Sequence, residues 1–137
     1  MSQSPSITLG SRDFDRLEAL LDAPQWQNHP TAQALREEMA RANVLPPEQV
    51  PADLVTMNST ITCVEEISGR ERILTLCYPA EADAAQGRVS VFAPVGAALL
   101  GLTIGQSINW TTPEGHPLRL RVTAITYQPE AAGAYHR

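Results

Sequence analysis

The sequence predicts an α+β protein, with a small, strongly bent antiparallel sheet and one short helix packed on a sheet face. A helical hairpin precedes the sheet in the chain. Three observations lead to this fold class. Apolar residues recur at helical spacing over the first third of the chain, and β-branched residues alternate with polar ones over the rest. The proline-rich stretch LPPEQVPADL separates the two patterns.

The first helix is predicted in SRDFDRLEALLDA, from residue 11 onwards. Ser11 and Asp13 supply a cap and a favourable charge in the first turn, and Pro24 ends the helix. The residues expected on its apolar face are Phe14, Leu17, Leu20 and Leu21.

The second helix is predicted in TAQALREEMARANVL, opened by Pro30 or Thr31 and closed by Pro46 and Pro47. The residues expected on its apolar face are Ala34, Leu35, Met39 and Ala42. Each helix is about 18 Å long at about 1.5 Å per residue, so neither is stable alone in water. We therefore expect three parts: a helical hairpin at residues 1–45, a connector at 46–53 and a sheet domain at 54–137.

Five segments of the sheet domain are typical of strands: residues 55–66, 70–79, 88–92, 107–112 and 118–127. The turn sequences ISGR and PEGHP predict two hairpins among them. The segment VGAALLGL, between the third and fourth strands, predicts one short helix.

The composition and charge of the chain argue against two classes of protein, nucleic-acid-binding proteins and membrane-spanning proteins. The chain has 137 residues and a formal net charge of -5, and all ten of its basic residues other than histidine are arginines that do not cluster in sequence. Direct nucleic-acid binding is therefore not expected. The sequence shows no signal peptide and no apolar run long enough to cross a bilayer, so we expect a cytoplasmic protein. The absence of long heptads favours a monomer.

Residues of the types used in catalysis and metal binding are scattered along the sequence. Cys63 and Cys77 lack metal or redox spacing, which favours two buried free thiols over a disulfide or a reactive thiol. His29, His116 and His136 show no ligand spacing and are expected to face solvent. With no nucleophile, phosphate or zinc motif, we expect no enzyme, no cofactor and no metal.

The stretch SVFAPVGAALLGLTIGQSI resembles the signature of the C-terminal domain of the Gre transcript-cleavage factors. Three further stretches, VTMNS, YPAE and YQPEAAGAY, are similar to the regulator of nucleoside diphosphate kinase family, bacterial relatives of the Gre factors. The resemblance covers nearly the whole chain. It implies an FKBP-like C-terminal domain, an N-terminal antiparallel coiled-coil hairpin, and docking on RNA polymerase at the rim of the secondary channel.

The resemblance places the partner contact at Phe92, Ala93, Pro94 and Val95, where the Gre pattern has an Asp-Ser-Pro turn and only the proline matches. Phe92 is either an exposed interface anchor or a core residue at a strand end. In the following turn, Gln106 stands after Gly105 where the family has aspartate.

Gre factors carry two acidic residues at the hairpin tip, which hold a magnesium ion in the polymerase active site. The tip LDAPQWQNHPTA contains a single acid, Asp22, so we expect polymerase binding without RNA cleavage, in competition with Gre-type factors. Trp26 at the tip is either a partner anchor or a lid over the gap between the helices.

Two other function classes stay open. An FKBP-like fold could be a peptidyl-prolyl isomerase or a generic protein-binding module, although only 5% of the residues are aromatic. The family name also suggests regulation of a nucleotide kinase, which should be indirect because the sequence lacks a phosphate-binding loop.

Overall fold

The computed structural model describes residues 7–111, 115 and 117–134, without the side chains of residues 84, 110 and 111. Its fold is mixed α+β, as the sequence predicts. In chain order the elements are β1 (Thr8–Gly10), α1 (Ser11–Leu21), α2 (Pro30–Ala40), β2 (Asn43–Leu45), β3 (Thr60–Glu65), β4 (Glu71–Cys77), β5 (Arg88–Ser90), α3 (Pro94–Leu99), β6 (Ser107–Thr111) and β7 (Pro117–Tyr127).

Five strands form the main sheet in the order β5-β4-β3-β7-β6. Both predicted hairpins, β3–β4 and β6–β7, are antiparallel. The expectation of a wholly antiparallel sheet is wrong at one edge, where β5 runs parallel to β4. Residues 78–87 carry the chain back before β5 starts, through two short 3-10 turns, and this crossover allows the parallel direction.

Strand β3 lies at the centre of the sheet, with alternate side chains buried: Ile61, Cys63 and Glu65. Its register with β7 shifts at two places, between Thr60 and Ile61 and between Thr62 and Cys63. Such irregularities bend a strand and increase its twist, so they account for the curvature of the sheet.

The start of α1 differs from the prediction. Gly10 is the N-cap and provides no side-chain hydrogen bond, while Ser11 is the first helical residue. Asp13 is 3% exposed and points into the protein rather than capping the helix. Leu17 and Leu21 are buried, as the helical spacing predicts.

Helix α2 is shorter than predicted, because it ends at Ala40. Residues 43–45 instead form β2, which pairs in parallel with β1. Asn43 and Val44 favour helix weakly, and Pro46 disfavours helical geometry at Leu45. On the apolar face Leu35 and Met39 are buried, but Ala32 takes the place predicted for Ala34.

The hairpin and the sheet share a single cluster of buried side chains. Leu17 and Leu35 from the helices belong to it together with Ile61 and Leu120 from the sheet. Two helices of 11 residues each cannot hold together by propensity alone, so this packing stabilises them. Within the described residues, no helix is long and apolar enough to span a membrane.

The stretch APVGAALLGLTIG contains α3 and two glycines that must be glycine. A Cβ on Gly96 would lie 1.9 Å from the Ser90 carbonyl oxygen, so the helix packs backbone to backbone on the end of β5. Gly101 has φ 83°, and a Cβ there would approach Ile7 to 2.9 Å. Part of the motif is therefore explained by packing alone.

Candidate partner-binding site at the third helix and the hairpin tip

The predicted partner contact lies at the N-terminus of α3. Phe92 is 2% exposed and Val95 is 7% exposed, so both side chains belong to the core, and Phe92 is a core residue rather than an exposed interface anchor. Ala93 is half-buried, and Pro94 is exposed at the first turn of the helix. The Ser90 hydroxyl accepts a hydrogen bond from the Phe92 N–H at 3.0 Å and fixes this entry to the helix.

Phe92 is buried because the hairpin tip lies on it. The rings of Trp26 and Phe92 meet edge to face, with centroids 4.6 Å apart. Trp26 is half-buried and covers the start of α3, and it also packs against the core cluster to which both helices contribute. The hairpin folds back onto the sheet through this contact.

His29 belongs to the same cluster, contrary to the expectation that it faces solvent. Its Nδ1 accepts a hydrogen bond from the Ala32 N–H at 3.3 Å, which caps α2. Its ring lies 5.2 Å from that of Trp26. His116 and His136 lie outside the described residues.

At the tip, Asp22 shares a polar cleft of about 400 Å³ with Glu37 and Arg36. Arg36 lies 3.8 Å from the Asp22 carboxylate and donates a hydrogen bond to the Leu21 carbonyl at 2.7 Å. A cation thus already accompanies this carboxylate. Glu37 was not among the predicted tip residues, because the antiparallel packing that brings it beside Asp22 is not visible in a loop sequence.

No group of three or more His, Cys, Asp or Glu side chains in the described part of the chain could hold a metal ion. The two acids of the tip cleft fall short of such a cluster, and Mg²⁺ favours several oxygen ligands in octahedral geometry.

A buried polar cluster joins α1 to the sheet, and sequence reasoning missed it. Asp13 accepts a hydrogen bond from the Met57 N–H at 3.1 Å. The pKa of Asp13 is raised to about 7, mainly because the carboxyl group is buried and, to a smaller extent, because the Glu130 carboxylate is nearby. The Thr56 hydroxyl donates to Glu130 at 2.8 Å, and the Gln128 amide donates to the Leu54 carbonyl at 2.7 Å. These bonds fasten α1, the segment before β3 and the C-terminal turn to one another.

Arginines that are scattered in sequence meet at one end of the sheet. Arg72 lies 2.6 Å from the Glu65 carboxylate. Arg119 and Arg121 both contact Glu66, at 2.8 Å and 3.7 Å. Because each of these cations has an acidic partner, the group does not form the unpaired basic patch typical of nucleic-acid binding.

Cys63 and Cys77 are free and buried, as predicted. Burial raises the pKa of Cys63 to about 11 and also raises that of Cys77. Few thiolates form at neutral pH under these conditions, so neither side chain is suited to nucleophilic chemistry.

Comparison with known proteins decides the family. The family model described as "Rnk N-terminus" matches residues 5–45, and the model "Transcription elongation factor, GreA/GreB, C-term" matches residues 50–127. The "Regulator of nucleoside diphosphate kinase" of Escherichia coli (strain K12) is 44% identical over 96% of both chains. The chain belongs to the regulator of nucleoside diphosphate kinase family.

This family is related to the Gre factors. The "Transcription elongation factor GreA" of Azorhizobium caulinodans is 36% identical over 59% of this chain and 52% of its own length. A solved structure, "Prokaryotic transcription elongation factor GreA/GreB from Nitrosomonas europaea", is 44% identical and covers 90% of this chain and all of its own, with a TM-score of 0.80.

A second solved structure, "GreA factor homolog 1 (Gfh1) protein of Thermus thermophilus", shares the fold at 20% identity and a TM-score of 0.51, covering 90% of this chain and all of its own. The family is therefore one of transcription-associated regulators, and the resemblance seen in the sequence is confirmed.

Proposed function

We propose that this protein is a regulator that binds RNA polymerase at the rim of the secondary channel and competes there with Gre-type factors, without stimulating transcript cleavage. The observation that carries polymerase binding is the match of residues 50–127 to the C-terminal region of GreA/GreB elongation factors. That match includes the N-terminus of α3.

The proposed contact is the surface around Pro94, not an exposed Phe92. Pro94 is exposed and rigid, and Ala93 beside it is half-buried. Trp26 is partly exposed and extends this surface from the hairpin side, because it packs on Phe92. A rigid, exposed proline favours an interface, since little conformational entropy is lost on binding.

The absence of cleavage is proposed from the hairpin. Its helices have 11 residues each and span about 16 Å at about 1.5 Å per residue. Asp22 has one acidic neighbour in the tip cleft, Glu37, and two carboxylates fall short of the several oxygen ligands in octahedral geometry that Mg²⁺ favours. The tip lies against the start of α3 through Trp26, which supports a mode of action without a tip-bound magnesium ion.

A titration against core RNA polymerase tests binding. We expect saturable binding that a GreA protein displaces, with Pro94→Asp weakening it at least tenfold. Pro46→Asp is the matched control, since Pro46 is also exposed but lies in the connector. Equal affinity of the two variants would refute the proposed surface, and no binding at micromolar protein would refute the function.

A cleavage assay on backtracked elongation complexes tests the second half of the proposal. We expect no short RNA to be released by this protein, and we expect it to slow release by an added Gre factor. Stimulated release by this protein alone would contradict the proposal.

A further inference from the structure

A groove of about 440 Å³ opens between α2, α3 and β6. Its walls are mainly apolar and include Leu35, Ala97, Ala98, Leu102 and Ile108. The two alanines are half-buried, and their short side chains leave depth between the helix and the strand. A groove of this composition has room for one or two aliphatic side chains.

One wall of the groove belongs to a sheet edge. In the described part of the chain β6 is the last strand of the main sheet and pairs with β7 alone. In an antiparallel pair, alternate residues direct their N–H and C=O groups away from the partner strand. Ser107 and Ile108 of β6 line the groove, so an added strand would run beside these groups.

Among the described residues that line the groove, Glu38 is the one with a charged side chain. Its Oε2 atom is buried and accepts no hydrogen bond among the described residues, although Arg41 lies 3.4 Å away in an ion-pair contact. The Glu38 side chain is 29% exposed, but its Oε2 atom is buried, so a hydrogen-bond donor that reaches this atom would be favourable. A ligand with a cationic N–H donor matches this end of the groove, and the formal net charge of -5 favours its approach.

We propose that this groove binds an extended segment of a partner protein, which adds as a strand to β6, places aliphatic side chains between α3 and β6, and directs a lysine or arginine to Glu38. Strand addition supplies main-chain hydrogen bonds, and alternate side chains supply specificity. This activity does not depend on polymerase binding, because it is argued from the groove residues alone.

The test uses a blocked heptapeptide, acetyl-Val-Thr-Val-Thr-Val-Thr-Lys-amide, in which the valines and the lysine share one face of an extended strand. It is titrated into the full chain at millimolar concentration and followed by backbone amide NMR. We expect the shifts to concentrate on residues 97–102 and 105–109. Replacing the lysine by glutamate should weaken binding by about tenfold, the effect of losing one charge-assisted hydrogen bond. Proline at the central valine should abolish binding, because it removes a main-chain donor.

Protein variants distinguish peptide binding in the groove from nonspecific binding elsewhere on the surface. Ala97→Arg fills the groove and repels the lysine, so it should abolish the shifts, while Ala131→Arg on the exposed C-terminal turn should leave them unchanged. Glu38→Gln should remove the preference for lysine over glutamate peptides. Binding that survives Ala97→Arg, or that does not distinguish the proline peptide, overturns the proposal.

Two further results would assign the groove to another occupant and also overturn the proposal. The first is peptide binding that starts only after residues 2–6 are deleted, since the chain itself would then be the ligand. The second is a dimer, detected by sedimentation, that Ala97→Arg dissociates. An absence of shifts at millimolar peptide in every form of the protein overturns it outright.

Discussion

Replacing Gly96 by alanine is the sharpest test of how α3 is held. The added Cβ would lie 1.9 Å from the Ser90 carbonyl oxygen and 3.1 Å from the Val91 Cα. Both atoms belong to the backbone, so neither can move away by a rotamer change. The Ser90 carbonyl is also fixed by a hydrogen bond from the Ala93 N–H at 3.0 Å.

The expected magnitude follows from this overlap. Ordinary contact begins near 3.4 Å, so helix and strand must separate by about 1.5 Å, and the core beneath them, including Leu99, must repack. Overpacking typically costs about 1–3 kcal/mol and occasionally more, and an overlap with fixed backbone atoms places this cost above that range, at about 4 kcal/mol; alanine regains at most about 1 kcal/mol over glycine in helix propensity. We expect Gly96→Ala to lower the free energy of unfolding by about 3 kcal/mol and Tm by roughly 6–12 °C.

Urea unfolding monitored by circular dichroism measures this loss. Gly69→Ala is the matched control, because Gly69 has φ 75° with no atom near its missing Cβ. Its cost is limited to the left-handed backbone, about 1–2 kcal/mol. If Gly96→Ala unfolds within about 0.5 kcal/mol of the parent protein, or is more stable than the control, backbone packing does not explain this glycine.

Three further outcomes are expected. Because the pKa of Asp13 is raised from 3.8 to about 7, the folded state binds the proton more tightly than the unfolded state, and the free energy of unfolding falls as pH rises through this window. Asp13→Asn should reduce the difference in the free energy of unfolding between pH 5 and pH 8, measured by urea titration. An unchanged difference would contradict this expectation. Trp26→Ala should lower the free energy of unfolding by about 1–3 kcal/mol, because the contact with Phe92 is lost, and it should alter the near-ultraviolet circular dichroism. Gln27→Ala, at an exposed neighbouring position, should change neither quantity. Iodoacetamide should modify Cys63 only under unfolding conditions, since burial raises its pKa to about 11, and rapid reaction in the native protein would show that the thiol is accessible.

Local pattern predicted most of the elements. The helical spacing of Leu17 and Leu21 and the alternation of Leu120 and Val122 each depend on residues close in sequence, and the structure confirms both burial patterns. The direction of β5 depends instead on how residues 78–87 cross over, which composition does not encode. The division into residues 1–45, 46–53 and 54–137 stays a prediction.

The candidate site was harder to predict, because its contacts are long-range. Trp26 and Phe92 are 66 positions apart, so the burial of Phe92 depends on a fold-back of the hairpin that neither segment specifies. The sequence places Asp13 with Ser11 at the first turn of α1 as a cap and a favourable charge, yet the hydrogen-bond partner of Asp13 is the Met57 backbone N–H. A charged residue on the same helical face as Leu17 was the available signal, since such a residue requires a buried partner.

The parallel pair β1–β2 joins the two ends of the helical hairpin side by side, with Thr8 opposite Asn43 and Gly10 opposite Leu45. A segment whose entry and exit are adjacent can be exchanged for a longer or shorter one without displacing the sheet. Residues 8–10 and 43–45 thus form a grafting point. A longer hairpin with two tip carboxylates, joined there, would show whether reach and tip chemistry alone separate this regulator from a cleavage factor.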